Sequence, residues 1–203
     1  MARDRGPIDK INRRFGVPLF GPSKALERRP YPPGHVGARG ARRKQSDYAL
    51  ALAEKQKLRF QYGVLEKQFR LYFKEAQRRD GITGTNLLQI LEMRLDNVCY
   101  RLGLGSTRRG ARQFVNHGHV LVNDKKVDIP SYQVKPSDVV KVAEASRSQQ
   151  LGMRLADSTQ ARPACDWMEL DREKLTGTVN RVPEREEFDP MVDERLVVEL
   201  YSR

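Results

Sequence analysis

Cysteine is scarce in this 203-residue chain: there are two, Cys99 and Cys165. They are too few and too far apart for a four-ligand zinc site or a disulfide framework. Cys99 falls within an apolar stripe and reads as a small buried hydrophobe. A disulfide stays open as an alternative, but cysteine usage this sparse favours a reduced, cytoplasmic protein. Histidine is as rare, with three residues, and His117 and His119 lack the further ligands a metal would need. No apolar h-region follows the basic N-terminal residues, so no signal peptide is expected. No run approaches the roughly 20 apolar residues that span a bilayer, so no membrane partner is expected either. A nucleophile elbow is missing. Asp80-Gly81-Ile82-Thr83-Gly84 reads as a turn-rich link without the lysine and spacing of a phosphate-cradling loop. The sequence therefore predicts no enzyme, no cofactor and no small-molecule substrate.

Negative charge is also short. Lys and Arg number 38 against 26 Asp and Glu, giving a net charge of +12 and a pI near 10.0. Such an excess calls for a polyanionic partner. It is unevenly spread: residues 1–44 hold 12 basic and 3 acidic side chains, residues 143–203 hold 9 and 13. The basic two thirds should face nucleic acid and the acidic end something else. With 38% hydrophobic and 32% charged residues, the length allows one or two domains with a modest core.

Residues 1–44 carry almost no hydrophobic periodicity but many cations: Arg3, Arg5, Arg13, Arg14, Arg28, Arg29, Arg39, Arg42, Arg43 and Lys44. The expectation is an extended basic arm, disordered when free. Within it, Arg28-Arg29-Pro30-Tyr31-Pro32-Pro33-Gly34-His35 interleaves stiffening prolines with two flat rings, Tyr31 and His35, that could stack on bases. A plain basic linker is the alternative.

Beyond the arm the pattern turns helical. Ser46 is a candidate N-cap for a helix from about Asp47 to Phe60. A second helix should run to about Arg79, with Leu65, Phe69, Tyr72, Phe73 and Ala76 on one face. Lys55, Lys57, Arg59, Lys67 and Arg70 decorate this pair as RNA contacts or as a solvated face. Leu88, Leu91, Leu95, Val98 and Leu102 then form a helical stripe that Gly103 and Gly105 end. The next helix, Arg108 to His117, has Ala111, Phe114 and Val115 on one side. Arg108, Arg109, Arg112 and Asn116 fan across another. Three guanidinium groups in five residues suit a phosphate backbone, and Gln113 and His117 extend that face. The arginines should be replaceable without loss of fold, since the apolar side is untouched. The period then switches to strands at His119–Val122 and Lys126–Ile129, with a turn at Asn123-Asp124, and at Val139–Val142. Trp167–Leu170 and Leu175–Val179 are further possible strands. Asp189-Pro190 resembles the start of a terminal helix, with Val192, Leu196, Val197, Leu200 and Tyr201 at helical spacing.

The fold class is α+β: a helical domain, residues 45–92 completed by 187–203, with a domain inserted at 93–186. The insert carries a helix-turn-helix and a small, mainly antiparallel sheet, an RNA-binding module over about 93–155. The basic arm, 1–44, precedes both.

Several runs together are distinctive. They are Arg28-Arg29-Pro30-Tyr31-Pro32-Pro33-Gly34, Gly81-Ile82-Thr83-Gly84-Thr85-Asn86-Leu87-Leu88, Arg94-Leu95-Asp96-Asn97, Tyr100-Arg101-Leu102-Gly103, Val122-Asn123, Ile129-Pro130-Ser131-Tyr132 and Val198-Glu199-Leu200-Tyr201-Ser202-Arg203. From end to end the chain resembles the bacterial small-subunit ribosomal protein number four family. The resemblance implies a primary binder of 16S rRNA that nucleates assembly of the subunit body and influences decoding accuracy. It implies ribosomal protein number five as a neighbour, messenger RNA at its entrance channel as a further partner, and a cytoplasmic or plastid-encoded organellar ribosome as location. Zinc-binding relatives carry cysteines where Asp9 and Asn12 stand here, which implies the zinc-free form, with an arm ordered by RNA alone. Lys125 follows Asn123-Asp124 in place of the commoner Asn-Gly turn and adds a cation at the hairpin. A related module occurs in RNA-modifying enzymes and stand-alone RNA-binding proteins, which is the alternative reading.

Overall fold

The computed structural model describes residues 6–34, 46–162, 165–188 and 191–202. The chain forms two compact units, one from the residues up to Asn86 together with those from Asp189, the other Leu87–Phe188. The first unit is helical. Its opening residues are not an extended arm where they are described: α1 (Ile8–Phe15) and α2 (Lys24–Arg28) pack together. Ile8, Ile11 and Phe15 at steps of three and four are a stripe about two turns long, enough to bury Ile11 and, beyond the helix, Leu19. Gly16 ends α1 in the left-handed conformation, φ 69°, its N–H on Asn12 O at 2.8 Å. Ser23 caps α2 by accepting from Leu26 N at 3.3 Å and donates to Asp9 Oδ1 at 3.4 Å. Protein contacts therefore order this segment.

As expected, Ser46 caps α3 (Asp47–Gln61), accepting from Ala49 N at 3.3 Å. In α4 (Glu66–Arg78), Phe69, Tyr72, Phe73 and Ala76 are buried. Only part of the Asp80–Gly84 link is a turn, because α5 (Thr83–Glu92) starts inside it. Asn86 Nδ2 donates to the carbonyls of Arg79 and Asp80, both at 3.2 Å, and closes the end of α4.

In the second unit the stripe from Leu88 to Leu102 is not one helix. It breaks at Arg94, and α6 (Leu95–Arg101) begins after it. Arg94 takes an extended backbone, φ −71° and ψ 138°, and bridges to Gln133. The N–H of Leu95 goes to Tyr132 O at 2.9 Å and that of Asp96 to Pro130 O at 3.1 Å. The Ile129–Tyr132 run thus supplies the acceptors that the first turn of a helix otherwise lacks. This is why the predicted strand over Lys126–Ile129 shrinks: the chain leaves the sheet early to reach α6.

After α7 (Arg108–Asn116), capped by Thr107 with Gly110 N at 3.1 Å, come β1 (Val120–Val122) and β2 (Lys125–Lys126). Asn123 and Asp124 turn between them at φ 49° and 64°. β3 (Val139–Val142) leads to α8 (Ser146–Ser158), a helix not among those expected from the sequence. β4 (Met168–Asp171) and β5 (Thr176–Val179) complete an antiparallel sheet of order β2-β1-β3-β5-β4. The core joins Leu95, Val98, Cys99 and Leu102 to Phe114 and Val115, with Val120, Val140, Trp167 and Val179 from the sheet side. Cys99 is wholly buried, and burial followed by the charge of Asp96 pushes its thiol far up. Within the predicted loop from Glu184, the residues up to Phe188 include a 3-10 turn, Arg185–Glu187.

The last helix, α9 (Glu194–Ser202), returns to the first unit and packs on α3. It starts later than expected, and Asp189-Pro190 lies outside the described residues. Gly84 makes room for it: a Cβ there would stand 2.8 Å from Glu194 Cγ. Tyr201 lies 4.6 Å from the Phe73 ring and donates to Glu66 Oε1 at 2.7 Å, while Lys55 Nζ holds Glu66 Oε2 at 2.8 Å. Burial disfavours the Glu66 carboxylate, but the bonds from Lys55 and Tyr201 and the charges of Lys55 and Arg59 outweigh it, and its pKa is lowered. A depressed carboxyl stabilises the fold above its unfolded pKa and loses that contribution as pH falls through the folded one. Glu66→Gln should therefore lower Tm at pH 7, with the gap to wild type closing toward pH 3 in melts followed by circular dichroism. A gap constant across that range would remove Glu66 from the α9 anchor.

Candidate nucleic-acid interface

The predicted arginine row on α7 divides between the interior and the surface. Arg112 is 5% exposed, and its Nη1 donates to Asp96 Oδ2 at 2.8 Å. Arg94 grips the same carboxylate from α6's N-cap, Nε to Oδ1 at 3.0 Å and Nη2 to Oδ2 at 2.7 Å. A fully desolvated charge needs such partners. Arg112 is therefore a structural residue, and the expectation that it faces RNA is corrected. Arg108 is also drawn inward: Nε donates to Asn97 Oδ1 at 2.9 Å, and the guanidinium lies 4.7 Å from the Tyr100 ring centroid. Its Nη2 is 3.9 Å from Glu92 Oε1, in a carboxylate that Arg101 clamps at 2.8 and 3.0 Å and Asn97 Nδ2 meets at 2.6 Å. Replacing Arg108 and Arg112 together would disturb the fold.

What α7 leaves outward is Arg109, half-buried, with Gln113, Asn116 and His117, all exposed. Thr107 through Asn116 contains no acidic residue. Lys125 is exposed at the neighbouring hairpin. Together they form a polar surface on a rigid helix whose other side is locked into the core by Ala111, Phe114 and Val115. Hydrogen-bond donors carried this way can engage phosphates and base edges with little loss of side-chain freedom. Arg162, not singled out in the sequence, holds the approach to α7: Nη1 donates to the carbonyls of Tyr100 and, at 3.2 Å, Gly105, and Nη2 to that of Ser106 at 3.2 Å. No local sequence signal marks it. Asp96 and Glu92 did have one, since acids within an apolar helical stripe must be paired.

The other predicted contacts separate similarly. In the helical unit Lys67 and Arg70 are exposed on α4. Lys55 is buried on Glu66 and is structural, which corrects its place among the RNA contacts. Lys57 pairs with Glu54 at 2.5 Å, and Arg59 donates to Gln56 Oε1 at 2.7 Å and packs over Phe60. Near the N-terminus Arg14, Arg28, Arg29, Pro32 and Gly34 are exposed. Tyr31 is instead covered by Arg13, whose guanidinium lies 5.0 Å from the ring and whose Nε donates to Arg29 O and Tyr31 O, both at 3.2 Å. Arg3, Arg5, His35, Arg39, Arg42, Arg43 and Lys44 lie outside the described residues. Asp9 is bonded to Ser23, and the Asn12 amide is buried with neither polar atom partnered among the described residues. One carboxylate beside an amide and a hydroxyl, with no thiolate or imidazole, does not make a zinc donor set. Among the described residues no helix is long and apolar enough to cross a membrane.

Comparison with known proteins places this architecture. The ribosomal protein S4/S9 N-terminal domain matches residues 3–92, and the S4 domain matches residues 93–140. The small ribosomal subunit protein uS4 of Akkermansia muciniphila is 62% identical over 203 residues, all of both chains. Its counterparts from Salinibacter ruber and Rhodococcus opacus are 51% identical over 203 residues and 55% over 204, again across the whole of each chain. Related at this level from end to end, the chain belongs to the small ribosomal subunit protein uS4 family.

Proposed function

We propose that this protein is a structural constituent of the small ribosomal subunit that binds 16S rRNA directly and nucleates assembly of the subunit body. The observation that carries the reading is the full-length similarity to uS4 proteins, 62% in one relative. The geometry supports it: the outer side of α7 offers an acid-free polar surface beside the exposed Lys125 of the hairpin, and Arg28, Arg29, Lys67 and Arg70 add exposed cations elsewhere. The protein acts by binding, not catalysis. Its neighbours in this reading are ribosomal protein number five and messenger RNA at its entrance channel, where it influences decoding accuracy. Its place is the cytoplasmic ribosome, or an organellar one if plastid-encoded.

Co-sedimentation tests the assignment. The purified chain should bind 16S rRNA without other ribosomal proteins and should stay on small subunits through a high-salt wash. Binding to the RNA only after other subunit proteins are added would overturn the role as a primary binder.

A further inference from the structure

Four side chains from four successive parts of the fold meet beyond the end of α7, and all are cations or can become so. His117 closes α7, His119 leads into β1, Lys126 lies on β2 and Arg147 stands in the first turn of α8. The His117 and His119 rings are 6.0 Å apart. Gly118 between them sits at φ 71°, and a Cβ there would stand 2.3 Å from Lys126 Cε and 2.8 Å from Nζ. The missing side chain lets the ammonium lie against the backbone between the two histidines. His119 is held in place, its Nδ1 2.9 Å from Ser148 Oγ and its ring 5.0 Å from that of Phe114.

The cluster has no counter-charge among the described residues. Of the acids near it in the chain, Asp124 and Glu144 are taken by Lys141 at 2.5 and 3.6 Å, and Asp128 forms no ion pair with the cluster. The charges that act on His119 are those of His117, Arg147 and Lys126, all cationic. Arg147 is moreover at the end of α8 where a helix dipole disfavours a cation, and no acidic residue accompanies it in that turn. Like charges gathered this closely raise the free energy of the protein unless an anion joins them.

We infer that His117, His119, Lys126 and Arg147 form a binding site for a backbone phosphate of RNA. The site rests on the RNA-binding reading above and adds Lys126, Arg147 and His119 to it. Lys126 and Arg147 supply permanent charge. His119 supplies a charge that depends on occupancy. In the free protein burial, then the three neighbouring cations, lower the His119 pKa, so the ring is neutral at pH 7. A phosphate beside it reverses that balance and raises the pKa. Binding therefore takes up protons, and affinity grows as pH falls from 8 to 6, by up to tenfold for each unit that the pKa rises.

The test uses the full chain and a 16S rRNA transcript at fixed ionic strength. Affinity is measured at pH 6 and pH 8 for wild type, His119→Gln and the double variant Lys126→Gln with Arg147→Gln. Wild type should bind more tightly at pH 6, His119→Gln should lose most of that difference, and the double variant should be weaker at both values. Because the chain has three histidines, an NMR titration of labelled wild type gives a second readout that needs no variant: the His119 pKa should rise when RNA is added. A double variant that binds like wild type, or a His119 pKa unmoved by RNA, would overturn the site while leaving the RNA-binding reading intact. Failure of wild type to bind the transcript at either pH would overturn both.

Discussion

Asp96→Ala should cost the second unit about 3–5 kcal/mol, the loss expected when a buried ion pair is broken from one side. The substitution removes the carboxylate that holds both Arg94 and Arg112, which are 1% and 5% exposed. Two buried guanidinium groups would lose the carboxylate that both hold, in a protein whose whole stability is of order 5–15 kcal/mol. The single tryptophan, Trp167, is buried in the same core and reports on this unit. Urea unfolding followed by its fluorescence should show the midpoint falling sharply. Replacing Asp96, Arg94 and Arg112 together by apolar residues of similar size should recover much of the loss, because the cost lies in the unpaired charges. A loss under about 1 kcal/mol for Asp96→Ala would mean that the site is not desolvated.

The outer side of α7 should behave in the opposite way. Arg109→Glu, Gln113→Glu and Asn116→Glu together should weaken binding to 16S rRNA at least a hundredfold. Donors facing phosphate are worth roughly 1–3 kcal/mol each when lost, and here they become repulsions. Trp167 unfolding should change little, since surface substitutions away from packed groups usually stay within about 0.5 kcal/mol each. Ala111, Phe114 and Val115 keep the helix on its core. Normal RNA affinity in this variant would remove α7 from the interface.

Periodicity and punctuation made much of this fold legible. The Ser46 cap, the apolar face of α4, the Asn123-Asp124 turn and the strands at Val139, Met168 and Thr176 all follow from side-chain spacing and local turn chemistry. The α5–α6 break and the short β2 share a cause, long-range pairing. The apolar stripe from Leu88 to Leu102 continues straight through Arg94. The break there is dictated by Pro130 and Tyr132, whose carbonyls serve the start of α6 at Asp96 and Leu95. The same contact ends β2 early. Around α1 the error was one of scale: a stripe of three apolar residues is too short to stand out among so many arginines, yet it suffices when α3 offers Phe60 to Phe15 at 6.1 Å.

Which of the α7 arginines turn inward was not legible in the sequence. A helix with arginines at 108, 109 and 112 spreads them over about 100°, more than a quarter of its circumference. The part facing α6 must meet Asp96 and Glu92, and spacing alone does not reveal which arginine each acid will take. Arg112 is lost to the fold, Arg108 is shared with Asn97 and Tyr100, and the surface keeps Arg109 with its polar neighbours.

That division between structural and RNA-facing cations is tested most directly by the salt dependence of 16S rRNA binding in two variants. One is Arg109→Gln with Lys125→Gln, the other Arg112→Met. Each lost phosphate contact flattens the plot of log affinity against log salt by about 0.7–0.9. The first variant should flatten the slope toward that amount per residue and leave Trp167 unfolding unchanged. Arg112→Met should lower stability and keep the wild-type slope under conditions where it is folded. A wild-type slope in the first variant, or a flattened one in folded Arg112→Met, would contradict the assignment.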